Sequence, residues 1–304
     1  MQPGGNDKGT VFITGAGGFV GRNLASRLAS GGYRLRCLVR NTGEPEADYL
    51  RSLGAELAAG DIMNADAIAA AARGCDIFIH LVGIIFEPRG ATFEQIHVRG
   101  TMNALAAATV TGAHRYLHMS ALGAGPDAET EYLRTKWSAE EAVRASGLAY
   151  TIFRPSLIYG PGGDFTNMLF KQVRTLPVIP VPGNGRYRLQ PVSVFDVAAC
   201  FAGAMENRKA VNREYEVCGP EVMDYNQLVD AVCRVLDKKR FKAHVPLAVV
   251  KPMARLSQRL MSRPLLTPDQ LKMLLAGSLC ASDTVRQDLG LEPMPLDEGL
   301  RLLI

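Results

Sequence analysis

At 304 residues the chain is long enough to bury a full hydrophobic core and to carry a second, smaller lobe. A hydrophobic share of 47%, a charged share of 21% and a net charge of +4 are ordinary for a globular protein, and we expect no nucleic-acid partner. The chain has no apolar run of about 18 residues and its polar N-terminus has no secretory signal, so we expect a cytoplasmic protein without a membrane-spanning helix.

The cysteines and histidines show no metal-binding pattern. Six cysteines are scattered without a Cys-x-x-Cys pair, so we expect reduced thiols and no disulfide framework. His97, His114 and His244 lack acidic or cysteine partners at metal-ligand spacing. His80 and His118 lie in predicted buried strands and are expected to be hydrogen-bonded core residues. The sequence therefore predicts no metal.

The first half of the chain alternates predicted strands and helices. The strands cover residues 11–13, 33–39, 56–59, 76–81, 116–119 and 150–153, and the helices cover 18–30, 46–53, 66–72, 92–111 and 129–145. This alternation predicts an α/β fold with a Rossmann-type doubly wound parallel sheet. Beyond about residue 155 Pro and Gly cluster, and helices dominate from 224 onward. We therefore expect a Rossmann domain over 1–155, with returning segments near 186–218, and a smaller, mainly helical lobe over 156–304.

A glycine-rich segment, TGAGGFVG, stands between the first predicted strand and the first predicted helix. In a strand–turn–helix unit such glycines permit a tight turn, close approach of the backbone to a phosphate and close packing of the helix on the strand. The helix N-terminus then presents backbone N–H groups to a pyrophosphate. A plain turn is the alternative, and the position at the first strand favours cofactor binding. The predicted contacts are Gly15, Gly18, Phe19, Val20 and Gly21.

The end of the second strand indicates which dinucleotide is bound. An NAD site usually carries an acidic residue there, whereas this sequence has Arg40, with Glu44 as the nearest acid. A guanidinium suits a 2′-phosphate, so the sequence favours NADP(H) over NAD(H). Arg36, earlier on the strand, could assist. Asp61 could accept from the adenine amino group or could instead cap the next helix.

Three residues further along have the types and order needed for proton transfer to a substrate oxygen. Tyr132 and Lys136 are four residues apart on a predicted helix and so share one face. The cation should favour ionisation of the phenol, which could then exchange a proton with the substrate. Ser120, at a strand end, could donate a hydrogen bond to the same oxygen. A surface Tyr/Lys pair is the simpler alternative, but the order of these residues after a glycine turn favours catalysis.

The chain resembles the short-chain dehydrogenase/reductase superfamily in its extended, atypical branch, which includes the NAD-dependent epimerase/dehydratase family. TGAGGFVG matches TGxxGxxG, and Ser120, Tyr132 and Lys136 match the catalytic triad. RPSLIYGP and QPVSVFDVA resemble two later motifs of that branch. The resemblance implies further cofactor contacts in Gly60-Asp61-Ile62, in the segment around Leu81, Val82 and Gly83, and beside the nicotinamide at Pro155 and Ile158.

Within the superfamily, the sequence around Ser120 is similar to that of bacterial relatives of the dehydrogenase-like accessory subunit of respiratory complex I. Some of these relatives are linked to ubiquinone biosynthesis. That resemblance implies firm NADPH binding. It leaves two functions open. The first is an oxidoreductase that acts on a carbonyl or alcohol of a small or lipid-like, quinone-related substrate. The second is a non-catalytic accessory or assembly protein of a respiratory complex.

A nucleotide-sugar epimerase is a further alternative. Arg186 and Arg188 could contact a substrate diphosphate, although epimerases usually hold NAD, which conflicts with Arg40. The resemblance also implies that a dehydratase would carry acidic residues just after the strand-end serine. A dehydratase is therefore disfavoured, because Ser120 is followed by Ala121-Leu122-Gly123.

The segment 249–263 carries basic residues at every fourth position among apolar ones. Pro252 would suit a first helical turn, so we expect the helix to begin near it. The simpler interpretation, which we favour here, is an ordinary amphipathic helix with its polar face in water. The alternative is a helix lying on an anionic membrane, which would make this a peripheral protein at the inner face of the membrane. The basic residues are Lys251, Arg255, Arg259 and Arg263.

Overall fold

The computed structural model describes residues 8–261, 264 and 266–304. Seven strands form one parallel sheet in the order β11-β6-β5-β4-β1-β2-β3. This confirms the predicted doubly wound fold, and the bounds of the first six strands differ from the prediction by at most two residues. The strands of this sheet are β1 (Thr10–Thr14), β2 (Arg34–Val39), β3 (Glu56–Ala59), β4 (Ile77–His80), β5 (Arg115–Met119), β6 (Tyr150–Pro155) and β11 (Arg213–Val217).

Helices cover both faces of the sheet because its strands are apolar on both sides. Val11 and Ile13 of β1 face one helical layer and Phe12 faces the other, and all three are fully buried. The first layer contains α1 (Phe19–Ser30), α2 (Pro45–Ser52) and α7 (Val194–Met205). The second contains α3 (Ala65–Ala72), α4 (Gly100–Thr111) and α5 (Glu131–Ala145).

The rest of the chain is mainly helical, as expected, and has its own buried cluster around Phe170, Tyr225 and Leu228. Its helices are α6 (Asp164–Thr175), α8 (Tyr225–Val235), α9 (Leu247–Leu260), α10 (Pro268–Ala276), α11 (Thr284–Leu289) and α12 (Leu296–Arg301), with a 3-10 turn at Arg208–Ala210. Its short strands pair as β7 (Ile158–Tyr159) with β10 (Val192–Ser193), β8 (Val178–Pro182) with β13 (Phe241–Val245), and β9 (Arg188–Leu189) with β12 (Met223–Asp224). No helix in the described ranges has the length and apolar character needed to cross a membrane.

Two helix predictions need correction. The helix expected over 92–111 is split into a π-helix, Glu94–Arg99, and α4. The helix expected to begin near Pro252 begins at Leu247 instead, directly after Pro246, and contains Pro252 in its interior. A proline in the sixth helical position removes only one intrahelical hydrogen bond, and it does not end α9.

The expectation of reduced cysteines is wrong for one pair. Cys218 and Cys280 form a disulfide between positions 62 residues apart. Cys218 directly follows β11, and the segment after α10 returns to that strand end, where the Ala281 amide donates to Glu216 at 2.6 Å. This proximity arises from the path of the chain, which cysteine spacing does not reveal. Cys37, Cys75, Cys200 and Cys233 are free and buried.

Candidate functional site

The turn between β1 and α1 requires glycine at two positions. Gly15 has a φ of +80°, and a Cβ there would lie 3.0 Å from backbone atoms of Leu81 and Val82. A Cβ on Gly21 would overlap the Gly15 carbonyl oxygen and lie 2.7 Å from the Ala16 Cα. The Leu81 amide also donates to the carbonyl of the last β1 residue at 3.0 Å. The end of β4 therefore lies directly against the glycine turn.

The N-terminus of α1 has the features of an anion site. The helix begins at Phe19 after Gly18, which supplies no side-chain cap. Its first intrahelical bond beyond the cap runs from the Arg22 amide to the Gly18 carbonyl, so the amides of Phe19, Val20 and Gly21 precede it and have no acceptor within the helix. Unpaired amides at the positive end of a helix dipole attract phosphate.

The two arginines of the second strand lie in different environments. Arg40 directly follows β2, is exposed, and makes no hydrogen bond or ion pair within the described part of the chain. Arg36 is committed elsewhere, which corrects the expectation that it could assist at a 2′-phosphate. Its guanidinium donates to Glu56 at 2.8 Å and to the backbone carbonyls of Ala71 and Arg73 at 3.1 and 2.7 Å. Arg36 therefore fastens α3 to the edge of the sheet.

The end of β3 leaves part of an acidic side chain available. One oxygen of Asp61 accepts from the Met63 amide at 2.8 Å, which stabilises a local turn. The helix-capping alternative for Asp61 is wrong, because Asn64 is the N-cap of α3. Asp61 is exposed and its other oxygen has no partner in the described ranges. The neighbouring Ile62 is buried, and its carbonyl accepts from the Asn103 side chain at 3.0 Å.

The predicted lysine is a buried cation at the carboxyl ends of two strands. The Lys136 ammonium donates to the Met119 carbonyl at the end of β5, over 2.5 Å. A Cβ on Gly83, just beyond β4, would lie 3.8 Å from that nitrogen. Burial lowers the pKa of Lys136 to about 8, and the Glu140 carboxylate opposes this shift. The side chain therefore remains mostly charged at neutral pH.

The predicted serine carries an unpaired hydroxyl. Ser120 follows Met119 directly and is buried, and its amide donates to the Phe153 carbonyl at 2.7 Å. Its Oγ has no hydrogen-bond partner among the residues that the structure describes. Because buried hydroxyls are nearly always paired, an unpaired one at the end of β5 fits a position that contacts a substrate or water.

The predicted tyrosine is held against two aromatic rings. Tyr132 packs edge-on against His97 and Phe93, with ring centroids 5.4 and 5.8 Å away. Burial raises the pKa of Tyr132 to about 12, so the expectation that Lys136 would favour its ionisation is wrong for this structure. Loss of hydration is the cause of this rise, and the Lys136 ammonium itself donates to the Met119 carbonyl. Tyr132 is consequently protonated at neutral pH, as a proton donor must be.

His97 is a further residue of this site, and its sequence context had been weighed only for metal binding. It is fully buried in the π-helix; its Nδ1 lies 2.9 Å from the Thr135 hydroxyl, and its Nε2 lies 3.1 Å from the Ile84 amide. Nε2 also lies 3.1 Å from the Ile84 carbonyl oxygen, so the imidazole bridges the Thr135 hydroxyl and the Ile84 backbone in either neutral tautomer. Burial, and then Lys136, lowers the pKa of His97 to about 2. Only a weak pattern in the sequence points to this role: Phe93 and His97 are four residues apart and so lie on the same face of a predicted helix.

The arginine of the RPSLIYGP segment has a structural position behind the site. Arg154 donates to the fully buried Glu140, one turn after Lys136, at 2.8 and 2.5 Å, and to Glu214 of β11 at 2.8 Å. Arg144 contacts both carboxylates, and its guanidinium lies 4.3 Å from the Trp137 ring centroid. This network fixes α5 to β6 and β11, and therefore fixes the direction of Lys136. Spacing in the sequence does not show this network, because its members come from α5, β6 and β11.

The remaining predicted contacts lie where β6 ends. Pro155 is buried, and its carbonyl accepts from the Leu122 amide at 3.0 Å. Ile158 is half-buried in β7. A cavity of about 620 Å³ beside the Cys218–Cys280 disulfide is lined by none of the predicted site residues. No group of three or more His, Cys, Asp or Glu residues that could hold a metal occurs among the described residues.

Comparisons with known proteins show the family to which the chain belongs. The model of the NAD dependent epimerase/dehydratase family matches residues 11–218, and the chain belongs to that family. The suspected resemblance to short-chain dehydrogenase relatives, including respiratory complex I subunits, is confirmed.

Two relatives and one solved structure show how far the similarity extends. The chain is 37% identical to a ceramide reductase of Caulobacter vibrioides over 192 residues. This alignment covers 63% of this chain and only 59% of that protein. It is 30% identical over 303 residues to the mitochondrial NADH dehydrogenase (ubiquinone) 1 alpha subcomplex subunit 9 of Arabidopsis thaliana, covering 94% of this chain and 74% of that one. The crystal structure of gox2253 superposes with a TM-score of 0.76 at 26% identity, over 97% and 96% of the two chains.

Proposed function

We propose that this protein is an NADP(H)-dependent oxidoreductase that acts on a carbonyl or alcohol of a small or lipid-like substrate. The observation that carries the proposal is the buried Lys136 ammonium at the carboxyl ends of β4 and β5, where it lies near Gly83 and donates to Met119, the residue before Ser120, whose hydroxyl has no partner in the described residues. Ligands of doubly wound sheets bind at this edge. Residues 1–155 would then hold the cofactor, and 156–304 would form the substrate or partner lobe.

The glycine turn fits a dinucleotide. Added side chains at Gly15 and Gly21 would collide with backbone, and the amides of α1 lack internal acceptors, which suits a pyrophosphate. Arg40, which is exposed and makes no ion pair with the described residues, suits a 2′-phosphate, and the Asp61 oxygen that has no partner there suits an adenine amino group. When bound, the nicotinamide would supply or accept the hydride.

The side chains of α5 would manage the proton. In the reductive direction Tyr132, which keeps its proton at neutral pH, donates it to the substrate oxygen as the carbonyl becomes an alcohol. Lys136 would anchor the cofactor ribose. Ser120 donates a hydrogen bond to the same substrate oxygen. The Caulobacter relative is a ceramide reductase, which supports a lipid-like substrate.

The proposal is tested by following NADPH consumption with ketones, quinones and long-chain lipid carbonyls. Tyr132→Phe should lower kcat by about 10²- to 10⁴-fold, the usual contribution of a positioned acid. Tyr49→Phe, at an exposed tyrosine of α2, is the matched control and should retain full activity. Turnover by Tyr132→Phe at the wild-type rate would overturn the proposed role of Tyr132.

A non-catalytic role is the second candidate, and the Arabidopsis relative favours it because that alignment covers 94% of this chain. In this role bound NADPH would stabilise an accessory protein of a respiratory complex. Tyr132→Phe would then preserve the cellular function as long as the cofactor stays bound.

A nucleotide-sugar epimerase is the third candidate. Arg186 and Arg188 are both exposed at β9, where they could contact a diphosphate. The arginine at position 40 argues against the NAD that such enzymes usually hold.

A further inference from the structure

Helix α9 exposes its large apolar side chains to solvent. They recur at intervals of four, three and four residues and so lie on one helical face, about 16 Å long. Their exposed fractions are 48, 62, 57 and 73% in chain order. The side packed on the protein carries the smaller Val250 and Ala254. We call this face the α9 stripe: Val249, Met253, Leu256 and Leu260.

A row of cations borders the α9 stripe. Lys251, Arg255 and Arg259 are all exposed, and none makes an ion pair with another residue in the described ranges. The sequence of α9 contains no Asp or Glu. Arg263, the fourth basic residue of the pattern, lies outside the described residues. The helix therefore combines an exposed apolar face with uncompensated positive charge.

This orientation differs from the ordinary amphipathic helix favoured by the sequence, in which the apolar face would be buried. Contiguous exposed apolar surface marks an interaction site. We propose that the α9 stripe docks on an anionic lipid bilayer, with its apolar side chains in the acyl boundary and its three cations at the phosphates. A row of positive charges on a helix that contains no acidic residue is complementary to the uniformly negative surface of an anionic bilayer. A protein partner would instead be expected to present a mixed pattern of charges.

The proposal does not depend on cofactor binding or catalysis, because none of its residues belongs to the candidate active site. It is tested by flotation of the full chain with vesicles of phosphatidylcholine alone or with one third phosphatidylglycerol. The wild type should float only with the anionic vesicles, and added salt should release it. Failure to float with either vesicle would overturn the proposal.

Two sets of variants separate the two contributions. Replacing Lys251, Arg255 and Arg259 together with Gln should weaken binding about fivefold per cation, on the order of 100-fold in all. Replacing Met253, Leu256 and Leu260 with Ser should abolish it. The matched control is Val110→Ser on α4, at a residue 79% exposed, which should bind as the wild type does.

Because every substituted side chain is exposed, circular dichroism should show native folding in all variants. Cation variants that float as the wild type does would refute the electrostatic part. A wild type that ignores vesicles but forms a dimer that Leu256→Ser dissociates would assign the stripe to a second copy of the chain instead.

Discussion

Three buried histidines should make this protein sensitive to mild acid. His80, His97 and His118 are fully buried, and burial together with the Lys136 cation lowers the pKa of all three, to about 3 for His80 and about 2 for His97. In the unfolded chain each returns to its ordinary value of 6.5. Below that pH the unfolded state binds more protons than the native state, so stability falls as the pH falls.

The magnitude follows from the unfolded value alone, because the native pKa values lie below the pH range considered. Between pH 7 and pH 5 each buried histidine costs about 2 kcal/mol, or about 6 kcal/mol for the three. Globular proteins are stable by roughly 5–15 kcal/mol. The loss should therefore be a large fraction of the total free energy of unfolding.

The assay is urea unfolding at pH 7, 6 and 5, with the variant His118→Leu alongside. His118 is the cleanest of the three to remove, because neither ring nitrogen has a hydrogen-bond partner in the described structure; the expectation of a hydrogen-bonded core residue is wrong at this position. The variant should lose about 4 kcal/mol over this range instead of about 6. The exposed His114→Gln should behave as the wild type does. Equal losses in His118→Leu and wild type would refute the reasoning.

The remaining predictions concern the glycine turn, the lysine and the network behind it. Gly21→Ala should lower the free energy of unfolding by about 1–3 kcal/mol and weaken NADPH binding at least tenfold, because the added Cβ would collide with backbone atoms. Thermal melts and NADPH titrations measure both effects. The control Gly17→Ala should be nearly neutral in both, since its Cβ would lie 3.4 Å from another side chain. The kcat/KM for reduction should be flat between about pH 7 and pH 8 and fall above pH 8 as Lys136 loses its proton, and a profile that rises through pH 8 would contradict this. Glu140→Gln should lower the free energy of unfolding by about 3–5 kcal/mol, since it removes a buried carboxylate from two arginines, whereas Glu141→Gln, at a side chain 57% exposed, should cost less than about 1 kcal/mol.

Local patterns were sufficient to predict the sheet and the glycine turn. Alternation of apolar strands with amphipathic helices is typical of a sheet that is covered by helices on both faces. For this reason the bounds of six strands could be predicted to within two residues. The spacing of Gly15, Gly18 and Gly21 predicts a turn, and the backbone atoms that exclude a Cβ at Gly21 belong to Gly15 and Ala16 of the same segment. The order of Ser120, Tyr132 and Lys136 needed the superfamily resemblance as well.

Features that depend on tertiary contacts were missed. The partners of Arg36 come from α3, and the disulfide joins Cys218 to a segment 62 residues away. The raised pKa of Tyr132 follows from burial by side chains of the π-helix, which sequence periodicity does not show. Periodicity also identified a face on α9, but it could not show whether that face packs on the protein or meets solvent.

The most direct test of the central claim is a binding titration with NADPH and NADH, using the wild type, Arg40→Ala and, as a control at another exposed arginine, Arg186→Ala. We predict strong preference for NADPH in the wild type and in Arg186→Ala, and loss of that preference in Arg40→Ala. Equal affinity for both cofactors, or preference for NADH, would contradict the role given to Arg40. Binding of neither would leave the glycine turn without its proposed ligand and would contradict the account as a whole.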